Sequence, residues 1–387
     1  MRAVLGLLLA MFPAAARAAE VGAYYYPWYA PSNFGDTLRR HLVPQQAPQI
    51  GYYDSRARST IEAHIDQSHL GNIDFWATSW WGPGSSEDQT IRNDILTDPR
   101  AKELKYAVHY ESTGRLGTFA NPSYANLVPD FTFLAQNYFN NPYYFRIEGR
   151  PVVFIYLTRA YFNTAASRAA VATLRQTMQS QFHINPYLVG DDVFAGDINS
   201  QRMRLWDAVT DFDVYGTVLQ ANGSTTTGIN ELGSVYRQAR ATAHAAGVSF
   251  VPTASPGFDD RAVRSGHVAA PRYLTNVPGS GEGSLFSRML SQVVVPDTDA
   301  ATNNLLMVNS FNEWYEDTAI EASNVAPATT LDDSRTNAYT QGYAYTGYGD
   351  LYLNELRTAT VPEPAGIALL AACSAVALGL RKRPLML

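Results

Sequence analysis

Eight short runs rich in Val, Ile, Phe, Tyr and Trp recur along the chain, and this repetition constrains the fold more than any other feature. The runs lie at 21–29, 73–81, 105–111, 151–157, 186–190, 212–218, 248–255 and 304–311. Apolar, aromatic-rich runs of this length are typical of β-strands buried on both faces. The sequence therefore predicts eight strands that lie inside one large core.

Segments with helical character separate most of these strands, at 59–70, 124–137, 166–181, 230–246 and 285–294. In the first segment, Ser59 and Glu62 predict a capping box, and Gly71 predicts the helix end. Strands that alternate with helices pair in parallel, so eight such units predict an α/β fold of the (β/α)8 TIM barrel type, in a single domain with loop insertions. A doubly wound open sheet is the alternative, although no glycine-rich phosphate loop follows an early strand to favour it.

The two ends of the chain differ from the repeating region. Residues 1–19 combine the early Arg2 with an apolar run and the small residues AAARAA, which is the layout of a secretory signal peptide. Residues 358–387 contain a Pro-Glu-Pro turn, about 16 apolar residues and a final basic cluster at 381–383. We therefore expect three parts: a signal peptide at 1–19, the barrel domain at 20–357, and a hydrophobic sorting or anchor segment at 358–387.

The C-terminal segment resembles the PEP-CTERM sorting signal of Gram-negative bacteria, in Val361-Pro362-Glu363-Pro364, the apolar run and the basic residues. The resemblance implies an exported protein of the periplasm, outer membrane or cell surface. It also implies that exosortase-type machinery cuts the tail after a transient stay in the membrane. A plain C-terminal membrane anchor is the alternative.

Charge and cysteine content exclude several functions for the predicted domain. The whole chain has 29 lysines and arginines and 35 aspartates and glutamates. The predicted end segments hold five of the basic and one of the acidic residues, so the domain keeps 24 and 34, a net charge of −10. Such a surface repels nucleic-acid phosphates and anionic lipid. The single cysteine, Cys373, lies in the tail, so the domain forms no disulfide of its own.

Aromatic and polar residues gather where the predicted strands end, which is where the active site of such a barrel lies. The aromatic set is Tyr25, Tyr26, Trp28, Trp80, Trp81, Tyr110, Tyr156 and Tyr215. The polar set is His109, Glu111, Asp191, Asp192, Glu313 and Glu316. Aromatic faces cover the C–H faces of sugar rings while carboxylates and histidine bind hydroxyls, so the pattern predicts a sugar site. For each single ring, a place in the core is the alternative.

Glu313 and Glu316 follow the eighth strand and are three positions apart. A helical turn there would place both on one face. Retaining glycosidases hold two carboxyl groups ~5 to 5.5 Å apart, one protonated to donate to the leaving oxygen and one ionised near the anomeric carbon. The pair is therefore the predicted catalytic pair. Two solvated glutamates near a helix N-terminus are the alternative.

The stretch NEWYEDTAIE, from Asn312 to Glu321, resembles the Asn-Glu-Trp-His-Glu-Gly-Thr-x-Ile-Glu motif of glycoside hydrolase family 99, the endo-acting α-mannosidases and mannanases. Further resemblance lies in GAYYYPWY, GYYDSRARSTIEAHI, SWWG, GRPVVFIY and PGFDDRAVR, and together these stretches span nearly the whole predicted domain. The resemblance implies a (β/α)8 fold that uses no metal and no cofactor on a polysaccharide or oligosaccharide substrate.

The same resemblance implies a retaining route in which the sugar's own 2-hydroxyl attacks the anomeric carbon and gives a 1,2-anhydro sugar. Glu313 would deprotonate that hydroxyl, and Glu316 would protonate the leaving group and then activate water. The predicted substrate-binding residues are Tyr26, Trp80, Trp81, His109, Glu111, Tyr156, Tyr215, Arg264, Asn312 and Trp314.

The chain departs from the family motif at two positions near this pair. Tyr315 stands where the family has His, and Asp317 stands where it has Gly. A carboxylate at 317 is expected to raise the proton affinity of Glu316 if the two are close. HYESTGRL and IYLTRAYF also keep only part of the family patterns after the third and fourth strands.

Two other functions remain open from the sequence. A metal hydrolase would use His109, Glu111 and Asp191, although the pairs of histidines common in zinc sites are missing. A noncatalytic glycan-binding protein on the cell surface would keep the barrel and the aromatic rim without needing the glutamate pair.

Overall fold

The computed structural model describes residues 19–361. The strands are β1 Val21–Tyr25, β2 Phe75–Trp80, β3 Lys105–Tyr110, β4 Arg146–Ile147, β5 Arg150–Ile155, β6 Tyr187–Asp191, β7 Ala208–Thr210, β8 Ser249–Val251, β9 Thr253–Ala254, β10 Leu306–Val308, β11 Val325–Thr329 and β12 Tyr345–Tyr348. The α-helices are α1 Leu38–His41, α2 Arg58–Leu70, α3 Ser86–Thr90, α4 Ser112–Arg115, α5 Leu127–Asn137, α6 Thr158–Tyr161, α7 Ala165–Thr177, α8 Ser200–Met203, α9 Gln220–Asn222, α10 Thr226–Ala245, α11 Ser284–Met289 and α12 Leu351–Thr360. Single turns of π-helix lie at Ile91–Ile95, Met178–Phe182, Tyr215–Leu219 and Leu290–Val294.

Nine parallel strands form a nearly closed barrel in the order β8-β7-β6-β5-β3-β2-β1-β10-β9, and β4 adds to β5 as an antiparallel edge. The two end strands of this order are halves of one segment, 249–254. β8 pairs with β7 and β9 pairs with β10. Pro252 separates the halves because it has no N–H to donate to the ladder, while its carbonyl accepts from Met307 N at 2.9 Å.

The segment 249–254 therefore occupies one position between β7 and β10, and the barrel has eight strand positions. This architecture agrees with the predicted TIM-like (β/α)8 fold. The barrel strands are buried on both faces almost throughout, as their continuous apolar sequences indicated. Parallel pairing brings the carboxyl ends of all strands to one rim, and the loops that follow them build the site described below.

The predicted sixth strand is wrong. The strand is β7, Ala208–Thr210, and most of the predicted run 212–218 lies in a loop and in the π-helical turn Tyr215–Leu219. The carboxylates of Asp211 and Asp213 start that turn, since they accept from Thr217 Oγ1 at 2.9 Å and from Gly216 N at 2.8 Å. β-type residues stand on both sides of these aspartates, so composition alone did not locate the strand.

The predicted capping box at Ser59 is also wrong. Helix α2 begins at Arg58 after Ala57, without a side-chain cap, although Gly71 does end it. A capping box occurs instead at the start of α7, between Thr164 and Ser167. Most helical stability in proteins comes from packing of the apolar face, so α2 forms without a side-chain cap.

A two-stranded antiparallel sheet, β11 with β12, and helix α12 complete the described chain. Helix α12 runs to Thr360, so the predicted domain boundary at 357 falls inside a helix. Most of the predicted signal peptide and of the predicted sorting segment lies outside the described residues. Within 19–361, no helix has the length and apolar character needed to cross a membrane.

Candidate active site

A cleft of about 250 Å³ opens at the carboxyl ends of the barrel strands. Its walls come from residues that follow different strands: Tyr26, Trp28, Trp81, Glu111, Thr113, Tyr156, Phe212, Arg264, Glu313 and Glu316. Two further cavities of about 320 and 210 Å³ adjoin it. Arg264 and Glu316 line all three spaces, so this pair stands at the junction of one continuous cleft.

A tight loop after β10 presents the two glutamates. Ser310 Oγ accepts from Glu313 N at 2.7 Å, and Thr318 N donates to Glu313 O at 3.1 Å. The chain between them forms a turn rather than the expected helix. Both carboxyl groups nevertheless face the same cleft, because the loop returns to its own start through the bond from Ser310 N to Thr318 O.

Glu313 is buried, with only 4% of its surface exposed. Its Oε1 accepts from the hydroxyl of Tyr29 at 3.0 Å and from the backbone N–H of Tyr315 at 2.9 Å. The Tyr29 hydroxyl also accepts from Trp314 N at 2.8 Å. Tyr29 was not among the predicted site residues, although it closes the aromatic stretch GAYYYPWY that the sequence singled out.

Glu316 is more open to the cleft. Its carboxyl lies 3.5 Å from Arg264 Nη1, and its backbone carbonyl accepts from Asp259 N at 2.7 Å. Arg264 also pairs with the buried Asp260 at 2.7 Å, and His267 contacts the same carboxylate. The loop that carries PGFDDRAVR thus fixes both the backbone and the charge environment of Glu316.

Burial raises the pKa of all three cleft glutamates. The pKa of Glu316 rises to about 7, because loss of solvent outweighs the opposing charge of Arg264. The pKa of Glu111 rises to about 8 by burial, although Ser79 donates to its carboxyl at 2.7 Å. Burial and repulsion from Glu316 raise the pKa of Glu313 well above its ordinary value. Burial therefore favours the protonated form of both Glu313 and Glu316.

The structure brings most of the predicted site residues to this cleft. They are Tyr26, Trp81, Glu111, Tyr156, Tyr215 and Arg264, together with Glu313 and Glu316. Tyr215 lies in the adjoining 210 Å³ cavity, stacked on Phe258 with 4.0 Å between ring centroids.

Two predicted aromatic contacts do not reach the cleft. Trp80 is fully buried, and its Nε1 donates to Asp88 at 3.1 Å. Successive side chains along a strand point to opposite faces. Trp81 faces the cleft, so its neighbour Trp80 faces the helices. Trp314 is buried as well, and its Nε1 donates to Glu321 at 2.8 Å. Direct contact of either indole with a bound sugar is therefore a wrong prediction.

His109 and Asn312 also lie outside the cleft. The His109 ring stacks beneath Phe212, at 5.2 Å between centroids, and burial lowers its pKa to about 3. The amide of Asn312 exchanges hydrogen bonds with the backbone N–H and carbonyl of Tyr26, at 2.8 and 3.0 Å. These two residues support the cleft floor and the Tyr26 backbone instead of contacting substrate.

Four other members of the predicted rim are structural. Tyr25 stacks on Trp76 inside the protein, and the Tyr110 hydroxyl donates to Asp130. Asp191 and Asp192 are buried and pair with Arg159 and Arg202. Asp191 is thus committed to an arginine, and residues 19–361 contain no group of three or more His, Cys, Asp or Glu that could hold a metal ion. The metal-hydrolase alternative has no ligand cluster in this part of the chain.

Several cleft residues were not predicted as site residues: Thr113, Phe212, Asp213, Asp260, His267 and Tyr315. Phe212 and Asp213 were hidden by the misplaced sixth strand. Asp260 and His267 follow the seventh strand position, in and just after the quoted stretch PGFDDRAVR, so their place after a strand was an available signal.

The expectation that the carboxylate of Asp317 raises the proton affinity of Glu316 is wrong. Its carboxylate turns away from the cleft and lies between Arg39 and Arg272, with 1% of the side chain exposed. The carboxylates that do raise the pKa of Glu316, after burial, are Asp213 and Asp260.

Comparison with known proteins identifies the family. The profile of glycosyl hydrolase family 99 matches residues 18–344. The chain belongs to this family. It is 22% identical over 330 residues to the glycoprotein endo-α-1,2-mannosidase of Rattus norvegicus, covering 78% of this chain and 67% of that protein. A human glycoprotein endo-α-1,2-mannosidase-like protein is 20% identical over 334 residues, covering 78% and 68%.

Solved structures agree with a family 99 fold. A glycoside hydrolase-like protein superimposes with a TM-score of 0.62 at 20% identity, covering 93% of this chain and 98% of that one. The GH99 endo-α-mannosidase from Bacteroides thetaiotaomicron superimposes with a TM-score of 0.61 at 18% identity, covering 89% and 97%. Family membership establishes the protein as a glycoside hydrolase and confirms the resemblance seen in its motifs.

Proposed function

We propose that this family 99 enzyme is an exported retaining glycosidase that cleaves internal α-mannoside linkages of a polysaccharide. The observation that carries the proposal is that Glu313 and Glu316, from one loop, line the same cleft among aromatic side chains. The curated relatives described as endo-α-1,2-mannosidases support the choice of linkage type.

Glu313 is the proposed base for the sugar's 2-hydroxyl. Tyr29 and Tyr315 both donate to Oε1, so Oε2 is the oxygen left for a substrate hydroxyl. The 2-oxygen, once deprotonated, attacks the anomeric carbon as the bond to the leaving oxygen breaks. A 1,2-anhydro sugar forms, and the new C–O bond replaces the broken one at the same carbon.

Glu316 is the proposed acid in the first step and base in the second. It protonates the leaving oxygen, and it then removes a proton from the water that opens the anhydro ring at the anomeric carbon, while the 2-oxygen takes back the proton that Glu313 holds. Its pKa of about 7 suits a group that must give and take a proton near neutral pH.

The first step needs Glu313 ionised while Glu316 keeps the shared proton. Two opposing influences act on Glu313: burial favours its protonated form, and the donors Tyr29 and Tyr315 favour its carboxylate. A sugar hydroxyl that donates to Oε2 adds a third donor and shifts the proton toward Glu316.

The cleft chemistry favours a neutral sugar as substrate. Trp28, Trp81, Tyr26 and Tyr156 offer ring faces to a pyranose. Five carboxyl groups line the joined cavities, and Arg264, the arginine that faces them, already pairs with Asp260, which the ring of His267 also contacts. A uronate would meet repulsion without a free cation.

The sequence of the two ends supports the cellular part of the proposal. Residues 1–19 would direct export, and residues 358–387 would be read by exosortase-type sorting machinery while they sit in the membrane. An exopolysaccharide of the same cell surface would then be the substrate within reach.

Product analysis tests the proposed function. Purified protein is incubated with α-mannan, bacterial exopolysaccharide and aryl glycosides, with Glu313→Gln as the paired control. We expect oligosaccharide products that keep the anomeric configuration of the substrate, formed by the wild type alone. No cleavage by the wild type, inverted products, or full activity of Glu313→Gln would overturn it. Glycan affinity that survives the substitution, without any cleavage, would instead support a binding protein.

A further inference from the structure

Asp317 stands directly after the proposed proton donor, in an unusual backbone conformation. Its φ is +48°, in the left-handed region that costs energy for a residue with a side chain. The side chain is buried, and it points away from the cleft that Glu316 faces. Something outside the cleft must therefore hold this residue in place.

Two buried arginines bind the Asp317 carboxylate. Arg39 Nε lies 2.5 Å from Oδ1, and Arg39 Nη2 lies 3.3 Å from Oδ2, so this arginine makes a two-point contact. Arg272 Nη1 approaches Oδ1 at 3.4 Å. Arg272 Nη2 also donates to the carbonyl of Ala319 at 2.6 Å. The arginines thus hold the turn at two points, just after Glu316.

Glu282 balances the charge on the other side of the arginines. Its Oε1 lies 3.5 Å from Arg39 Nη2 and 3.3 Å from Arg272 Nε. We call Arg39, Arg272, Asp317 and Glu282 the arginine clamp. Its two positive and two negative charges cancel, as a buried ion cluster requires.

The last part of the described chain covers the clamp. The guanidinium of Arg272 lies 4.6 Å from the ring of Tyr348 and 4.1 Å from the ring of Tyr352. Arg39 donates to the carbonyl of Thr346 at 2.9 Å. These residues follow position 344, where the match to the family profile ends. The members of the clamp therefore lie in α1 and the barrel loops, and β12 and α12 cover them.

We propose that Asp317, held by the two arginines of the clamp, positions Glu316 for proton donation. This inference rests on the proposed role of Glu316 as the acid. Asp317 and Glu282 are the two carboxylates of one buried cluster, and only Asp317 belongs to the catalytic turn. If the cluster only stabilised the fold, removing either carboxylate would have the same effect. If Asp317 positions Glu316, only the removal of Asp317 changes the turn that carries Glu316.

Two matched substitutions separate these cases. Asp317→Asn and Glu282→Gln each remove one negative charge from the clamp and leave the same excess positive charge. Asparagine also tolerates the left-handed conformation, so the first substitution adds no backbone strain. Hydrolysis is measured on an aryl glycoside with an activated leaving group, which needs no proton, and on a glycan, which does.

We expect both variants to lose thermal stability to a similar extent. Asp317→Asn should lower the glycan rate by about tenfold to a hundredfold, since small misplacements of a catalytic group cost that much, and change the activated substrate less than threefold. Glu282→Gln should leave the ratio of the two rates at the wild-type value. An unchanged ratio in Asp317→Asn, or an equal change in both variants, would overturn the inference.

A second readout does not depend on turnover. The titration of Glu316, followed by carbon NMR of labelled glutamate, should shift in Asp317→Asn and stay unchanged in Glu282→Gln. If the wild type cleaves neither substrate, the proposed function is wrong, but the titration still tests whether Asp317 positions Glu316. If Asp317→Asn does not fold, Asp317→Asn with Arg39→Gln restores charge balance and should fold with the Glu316 titration still shifted. An unshifted titration there would also overturn the inference.

Discussion

The two ends of the barrel both carry cavities and charged groups, and their glutamates have pKa values shifted in opposite directions. The amino end has a space of about 380 Å³, lined by residues that include His69, Asp74 and Glu103. There, hydrogen bonds from Arg100 and His69 lower the pKa of Glu103 to about 2. At the carboxyl end, burial raises the pKa of Glu111 and Glu316 to about 8 and about 7.

The difference shows that cavity size is a poor guide to chemistry in this molecule. The amino-end space is larger than any one of the three cavities that join as the carboxyl-end cleft, but its glutamate is stabilised as a carboxylate and remains partly exposed. The carboxyl-end cleft keeps its glutamates desolvated beside aromatic rings. Only the second arrangement stores a proton near neutral pH, which acid–base catalysis requires.

Removing one carboxyl group from each end should give the largest contrast. Glu316→Gln should lower kcat on glycans by about 10²- to 10⁴-fold, which is the usual contribution of a general acid. Glu103→Gln should leave kcat within twofold of the wild type, because its partners lie at the opposite end of the strands. Steady-state kinetics on both variants measures this. Comparable losses in the two variants would break the comparison.

Stability should respond to pH in opposite directions at the two ends. The folded-state pKa of Glu111 is raised from 4.5 to about 8, so its stabilising contribution is complete below pH 4.5 and disappears as the pH rises toward 8. The folded-state pKa of Glu103 is lowered to about 2, so its contribution is present above pH 4.5 and disappears as the pH falls toward 2.

Thermal melts of two variants across pH 3 to 9 read out this difference. Glu111→Gln should flatten the fall in melting temperature between pH 5 and 8, with a gain of a few degrees over the wild type at pH 8. Glu103→Gln should alter only the acid side, and by less, because its ion pairs are exposed to solvent. A melting curve of Glu111→Gln that falls in parallel with the wild type above pH 5 would show that Glu111 is not desolvated.

The barrel and the position of the loop that carries Glu313 and Glu316 at a strand end were predictable from the sequence, because both depend on local patterns. Alternating strand and helix segments are readable from composition and spacing, and polar residues that end a strand mark its carboxyl end. The sixth strand was misplaced because β-type residues flank Asp211 and Asp213, and only the tertiary structure shows that these carboxylates start a helical turn.

The sequence predicted less well to which face of the sheet the side chain of a strand-end residue points. Trp80 and Trp81 are neighbours of the same type, and one faces the helices while the other faces the cleft. A shift of one position exchanges the two. The partners of Asp317 were even harder to predict, since Arg39 and Arg272 lie 278 and 45 positions away along the chain. Such contacts exist only once the barrel has closed.

The smallest expected effect comes from removing a hydrogen-bond donor that favours the ionised form of Glu313. Tyr29→Phe removes the hydroxyl that donates to Glu313 Oε1 at 3.0 Å. Losing a donor to the carboxylate raises its pKa, so the acid side of the kcat/KM profile should move to higher pH. One such hydrogen bond contributes about 1 kcal/mol, which corresponds to about a fivefold loss in kcat.

Tyr110→Phe is the matched control for this step. Its hydroxyl donates to Asp130 at 2.8 Å, so it is also a buried tyrosine bonded to a carboxylate, but it faces away from the cleft. Both variants should melt at lowered temperatures, since each leaves a buried carboxylate with one donor fewer, and Tyr29→Phe should melt lower because Trp314 N also loses its acceptor. Only Tyr29→Phe should shift the pH profile. A shift of equal size in Tyr110→Phe would mean that general loosening of the barrel, and not the bond to Glu313, sets the proton affinity in the cleft.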